Sequence, residues 1–116
     1  MNTQTLCTAL LQDACESNLA FYRNIIDDEI LDAITDPLWR RVVVFARALP
    51  PEQQQILLDF ARQAAIDAVS TVCGGIDGST PLGGAYLELS LVDAEGQQHA
   101  GELQEAFLEL VELAGQ

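Results

Sequence analysis

The chain has 116 residues, 49% of them hydrophobic, and sets 18 acidic residues against five basic ones for a formal net charge of -13. A length near the commonest domain size, with apolar residues spread throughout, points to one folded domain over residues 1–116 and excludes a disordered acidic tail. So negative a field repels nucleic-acid phosphate and anionic lipid, which argues against direct nucleic-acid or membrane binding, and it attracts basic protein surfaces.

The charge is unevenly placed. All five basic residues are arginines: Arg23, Arg40, Arg41, Arg47 and Arg62. Residues 1–62 therefore set nine acids against these five (net -4), whereas residues 63–116 hold nine acids and no base (net -9). No apolar run approaches the roughly 18 to 20 residues needed to span a bilayer, and Met1-Asn2-Thr3-Gln4-Thr5 lacks the basic start of a signal peptide. Cys7, Cys15 and Cys73 are odd in number and form no C-x-x-C pair, so they read as reduced thiols. A cytoplasmic location is the expectation.

Leu6, Leu10, Leu11, Ala14 and Cys15 recur at helical spacing and predict an amphipathic helix from Thr5 to about Glu16, which Ser17-Asn18 would end or follow with a new cap. Leu19, Tyr22, Ile25 and Ile26 extend the pattern. The acidic run Asp27-Asp28-Glu29 then reads as the start of a short helix carrying Ile30, Leu31 and Ile34. Asp36-Pro37 pairs a capping carboxylate with a proline at the first helical position and predicts a helix to about Ala48. After Pro50, Pro51-Glu52 opens the longest helix, expected to run to about Cys73.

Gly74-Gly75 is expected to stop that helix and to begin a glycine-rich loop reaching Gly84. Tyr86 to Val92 alternates apolar and polar residues as a half-buried strand does. Asp93-Ala94-Glu95-Gly96 reads as a hairpin turn, and Gln97 to Ala100 as the returning strand. From Glu102 to about Ala114, Leu103, Phe107, Leu110, Val111 and Ala114 form an apolar helical stripe. Glu102, Glu105, Glu109 and Glu112 fall on the opposite side within about 80° of arc, flanked by Leu108 and Leu113. The expected architecture is mainly α (α+β): a bundle of about four helices, a β-hairpin and a C-terminal amphipathic helix.

The chemistry-bearing residues form no familiar catalytic or metal pattern. Asp27-Asp28-Glu29 with Asp32 has neither the alternating spacing nor the central glycine of a calcium loop, and three cysteines with one histidine match no zinc spacing. The glycine loop lacks a Gly-Lys-Ser/Thr ending and follows a helix where phosphate-binding loops follow a strand. His99, the only histidine, lies in the expected hairpin with no nucleophile motif nearby. No cofactor and no enzymatic activity are expected. The arginines are expected to pair with carboxylates inside the protein.

Residues 65–112 resemble small acidic bacterial proteins, some of them immunity proteins that neutralise a toxin encoded next to them. The likeness lies in Val69-Ser70-Thr71-Val72, Ile76-Asp77-Gly78, Leu82-Gly83-Gly84, Tyr86 to Val92 and Gly101 to Glu109. The net -9 C-terminal half, the glutamate stripe and the absence of catalytic groups point to a non-enzymatic inhibitor of the immunity type, binding a toxin or effector with a basic surface. The partner-binding residues are then Glu102, Glu105, Glu109, Glu112, Leu108 and Leu113, with Asp93 and Glu95 of the hairpin. Two alternatives accompany it: a nucleic-acid mimic of the phage anti-CRISPR kind, and a small enzyme or ligand-binding domain at the Gly74–Gly84 loop. Pairing of the long apolar helices into a homodimer is a further expectation.

Overall fold

A computed structural model describes residues 1–115 as a mainly helical protein. The first rod spans residues 3–28 without a break: α1 (Thr3–Leu10), a π-helical segment (Leu11–Glu16) and α2 (Ser17–Asp28). The stop or new cap expected at Ser17-Asn18 does not occur. Instead the Ser17 N–H bonds the Gln12 carbonyl five residues back, which is the widened π turn. The Asn18 amide donates to the Ala14 carbonyl at 2.9 Å. The widened turn sits where the buried stripe passes from one apolar cluster to the next.

Asp27-Asp28-Glu29 does not begin a helix: α2 ends at Asp28, and Glu29 turns extended. The reason lies across the fold. Arg47 lays its guanidinium on the carbonyls of Ile25, Ile26 and Glu29, satisfying the open acceptors at the end of α2. Only a single 3-10 turn, Leu31–Ala33, remains of the expected short helix. Arg40 donates to the Leu31 and Ile34 carbonyls, and Arg23 to the Gln55 side chain. Among the described residues Arg62 alone meets a carboxylate, Glu16 at 2.6 Å. Two of the five arginines, Arg40 and Arg47, thus serve as caps for backbone carbonyls, a role that charge counting does not reveal.

Helix α3 (Pro37–Arg47) starts as its sequence predicts, with Asp36 Oδ1 accepting from the Trp39 N–H at 3.0 Å. Helix α4 (Pro51–Asp77) and helix α5 (Leu103–Ala114) complete the set. None of these helices is long and apolar enough to cross a membrane. The 27 residues of α4 extend about 40 Å and line two separate apolar clusters. At its N-terminal half Leu58 joins Ile26, Val43 and Ala46, with the Tyr22 and Trp39 rings packed beside them at 5.1 Å. Farther along, Ile66 and Cys73 join Cys7, Cys15, Leu103 and Phe107. The three thiols are buried, and burial raises the pKa of each, that of Cys73 to about 11.

Gly74-Gly75 does not stop α4, which runs one further turn to a left-handed cap at Gly78 (φ 81°). Both glycines are buried because neighbours press on the helix where a side chain would stand. A Cβ at Gly74 would meet Thr80 Oγ1 and approach Gln104 Nε2 to 2.7 Å, and one at Gly75 would meet Leu82. The pair therefore permits close approach, and Gly78 supplies the turn.

The expected β-hairpin is absent. Between α4 and α5 the described chain has only two isolated pairings, Leu82 with Ala85 and Val92 with Gln98. Its turn does form, because Asp93 Oδ1 accepts from the Glu95 and Gln97 N–H groups and Gly96 takes φ 85°. Backbone pairing is limited to the turn, where the Asp93 N–H bonds the Gln97 carbonyl at 3.0 Å and the His99 N–H the Leu91 carbonyl at 2.8 Å. Beside it the Gln98 side chain engages the backbone, its Oε1 accepting from the Leu91, His99 and Ala100 N–H groups and its amide donating to Ser90. Tyr86, Leu87 and Leu89, read as alternating across a sheet, all stay exposed.

Gly74→Ala should improve intrinsic helix propensity yet destabilise the protein by about 1–3 kcal/mol, because the added methyl forces Thr80 and Gln104 away. Urea unfolding followed by circular dichroism measures the sign.

Candidate functional site

Helix α5 is positioned by a residue outside it. No Ser, Thr, Asp or Asn stands at its start, and Glu102 at the cap position makes no capping bond. The cap comes from Asp77, the last residue of α4. Its Oδ1 accepts from the Gly101 N–H at 2.7 Å and the Leu103 N–H at 3.1 Å, and its Oδ2 from the Gln104 N–H at 2.8 Å. A carboxylate at a helix N-terminus also complements the helix dipole.

Gln104 extends the same junction. Its amide donates to the Ser70 carbonyl at 3.0 Å and to Ser70 Oγ at 3.2 Å, while its oxygen accepts from the Ser79 hydroxyl. Leu103 and Phe107 then insert fully into the cluster around Cys7, Cys15, Ile66 and Cys73. With the cap and two anchors fixed, the rotation of α5 about its axis is fixed as well.

That rotation turns Glu105, Glu109 and Glu112 outward. Together with Gln104 and Leu108 they line an open depression of about 650 Å³. Glu102 lies just before the helix, on its other flank. There it lines a groove with Glu109 and Leu113 of α5 and Thr3 and Gln4 of α1. Glu109 borders both. Among the described residues none of these glutamates has an ion-pair partner, and α5 has no base in its last turn. Glu109 and Glu112 therefore stand near the negative end of the helix dipole and one turn from each other, both unfavourable for the helix itself.

The loop residues Asp93 and Glu95 are treated differently from each other. Glu95 is exposed and lies 3.8 Å from the N-terminal ammonium, which places it at the α1 end of the Thr3–Glu102 groove. Asp93 turns inward. His99, only 3% exposed, sits between it and α1: Nε2–H donates to Asp93 Oδ2 at 2.9 Å, and Nδ1 shares a hydrogen bond with the Thr3 hydroxyl at 3.0 Å. Hydroxyl, imidazole and carboxylate follow the order of a hydrolase relay, but the ring is closed off from solvent and both nitrogens are engaged. The arrangement fastens the 93–99 loop to the start of α1.

The His99 hydrogen bond, followed by the Gln97 and Glu95 N–H groups, lowers the Asp93 carboxyl from its ordinary 3.8 to about 2. Asp77 is the residue that sequence reasoning misses. Its signal is indirect: a helix with no capping residue at its own start implies a cap supplied from elsewhere. The chain was also compared with protein-family models, curated proteins and solved structures, and none matches it.

Asp77→Ala leaves three backbone donors without a partner and should lower stability by about 2 kcal/mol, read as a reduced midpoint in chemical unfolding. A pH effect is expected at the loop. Because the Asp93 pKa is depressed on folding, its stabilising contribution is complete above about pH 4 and declines as pH falls from 3.8 towards 2. Amide exchange at Gln97 and His99, corrected for intrinsic rates, should accelerate over that range, and Asp93→Ala should show the faster exchange at neutral pH.

Proposed function

We propose that the protein is a non-enzymatic, protein-binding inhibitor of the immunity type, which docks the acidic face of α5 onto a basic surface of a toxin or effector. The observation that carries this reading is the exposed row Glu105, Glu109 and Glu112, unpaired and bordered by exposed Leu108 and Leu113. Carboxylates beside partly exposed leucines suit an interface, where apolar contacts supply affinity and charge supplies orientation and rate. Glu102 and Glu95 extend the acidic surface past the start of α5, while Asp93 serves by holding the loop. Glu109 and Glu112 do not help their own helix, which fits a role in contacting a partner.

On this reading the partner is encoded beside this gene. Carboxylates standing in for phosphates are the alternative, with the partner then being a nucleic-acid-binding protein. Inside a cell the partner would be met in the reducing cytoplasm, where the three buried thiols stay unpaired.

The test is calorimetric titration against the purified product of the adjacent gene. Affinity should fall at least roughly tenfold between low and high salt. A triple change of Glu105, Glu109 and Glu112 to glutamine should weaken binding by roughly a hundredfold while raising thermal stability slightly, since like-charge repulsion is relieved. Absence of binding at low salt, or full binding by the triple variant, would overturn the proposal. Competition by duplex DNA identifies the mimic.

A further inference from the structure

The protein exposes more surface than a chain of its size needs. Its accessible area is 7654 Å², against about 6,200 Å² for a compact monomer of 12.6 kDa. Its radius of gyration is 17.2 Å, against about 13 Å for a compact chain of this length. The excess, roughly 1,400 Å², exceeds the area of about 800 Å² that each partner contributes to a stable interface.

Part of the apolar surface forms a regular row on α4. Every fourth residue on its open side, Ile56, Phe60, Ala64, Ala68 and Val72, is exposed. Ile56 is 66% exposed, Phe60 72% and Val72 57%. Residues four apart form a continuous ridge on a helix, and two such ridges interlock when the helices cross at about -50°. Leu57, one residue along from Ile56, carries the apolar surface on to Phe45 of α3, with which it lines a furrow.

We propose that this ridge is a homodimer interface, in which α4 packs antiparallel on α4 of a second copy about a two-fold axis at Ala64. The ridge is complementary to itself in that arrangement. Around Ala64, Phe60 of one copy faces Ala68 of the other, a large side chain against a small one, Ile56 faces Val72, and the two Ala64 residues let the backbones approach closely at the axis. Charge selects the same orientation. All five arginines precede residue 63, so the antiparallel pair sets the arginine-bearing end of one copy beside the arginine-free end of the other. A parallel pair would bring the two uniformly acidic ends together. The inference uses a face other than the glutamate row and does not depend on any partner protein.

Sedimentation equilibrium of the full chain at tens of micromolar should give twice the 12.6 kDa chain mass. Ala64→Glu places two like charges at the axis and should yield a monomer with an unchanged far-ultraviolet spectrum, since residue 64 is exposed in the single chain. Phe60→Ala should raise the dimer dissociation constant by at least roughly tenfold. Ala64→Cys should form a covalent dimer under mild oxidation, while Ala20→Cys, on an exposed position of α2, should not; the native thiols are buried. A wild-type monomer at these concentrations would overturn the proposal. So would an Ala64→Glu variant that remains dimeric, or an Ala64→Cys variant that forms no cross-link.

Discussion

Asp77 ends one helix and begins another. Its backbone closes α4, and its carboxylate gathers the Gly101, Leu103 and Gln104 N–H groups that α5 would otherwise leave open. A capping carboxylate normally sits one residue before its helix, whereas this one reaches across 24 residues of mostly irregular chain. It thereby closes the loop from 78 to 101 and seats α5 against α4 with a fixed rotation. The buried positions of Leu103 and Phe107, and hence the outward direction of the glutamates, follow from that seat.

The junction around Asp77 is polar at a point where a small helical protein would be expected to be greasy. Ser70, Thr80 and Gln104 hydrogen-bond across it, and Gly74 leaves them the space to do so. Hydrogen-bonded side chains of this kind add direction that apolar packing lacks, because a rotated α5 would lose several bonds together. The thiol-lined cluster beneath supplies the burial. Direction and burial are thus divided between two adjoining layers of the same interface.

The rest of the molecule is organised by length more than by a central core. The first rod and α4 run past two clusters, each built on a handful of fully buried residues. A slender build leaves much apolar surface uncovered, and it separates the acidic α5 end from the end that holds the arginines. Two of those arginines, Arg40 and Arg47, close α2 and the turn after it by binding carbonyls. No arginine lies beyond residue 62, so the nine acids of the C-terminal half have no basic side chain among them.

Elements governed by local chemistry were legible in the sequence. The Asp36-Pro37 start of α3, the Pro51 start of α4, the Asp93–Gly96 turn and the amphipathic pattern of α5 each depend on residues within one or two turns of chain. The exposure of Glu105, Glu109 and Glu112 could be read from the same periodicity. Features that depend on distant partners could not be read. Gly74-Gly75 resembles a stop signal until Thr80, Leu82 and Gln104 are seen to occupy the space above it, and the 86–92 alternation resembles a strand until Tyr86, Leu87 and Leu89 are seen to face solvent with no neighbouring strand. The acidic run at residues 27–29 ends a helix because Arg47, far along the chain, caps it. The sequence alone determined helix content, charge asymmetry and the apolar and acidic faces of α5, because these are set by neighbours three or four residues away. Only the tertiary structure decided where α5 points and which helix face stays open, because both rest on bonds and contacts between residues far apart in the chain.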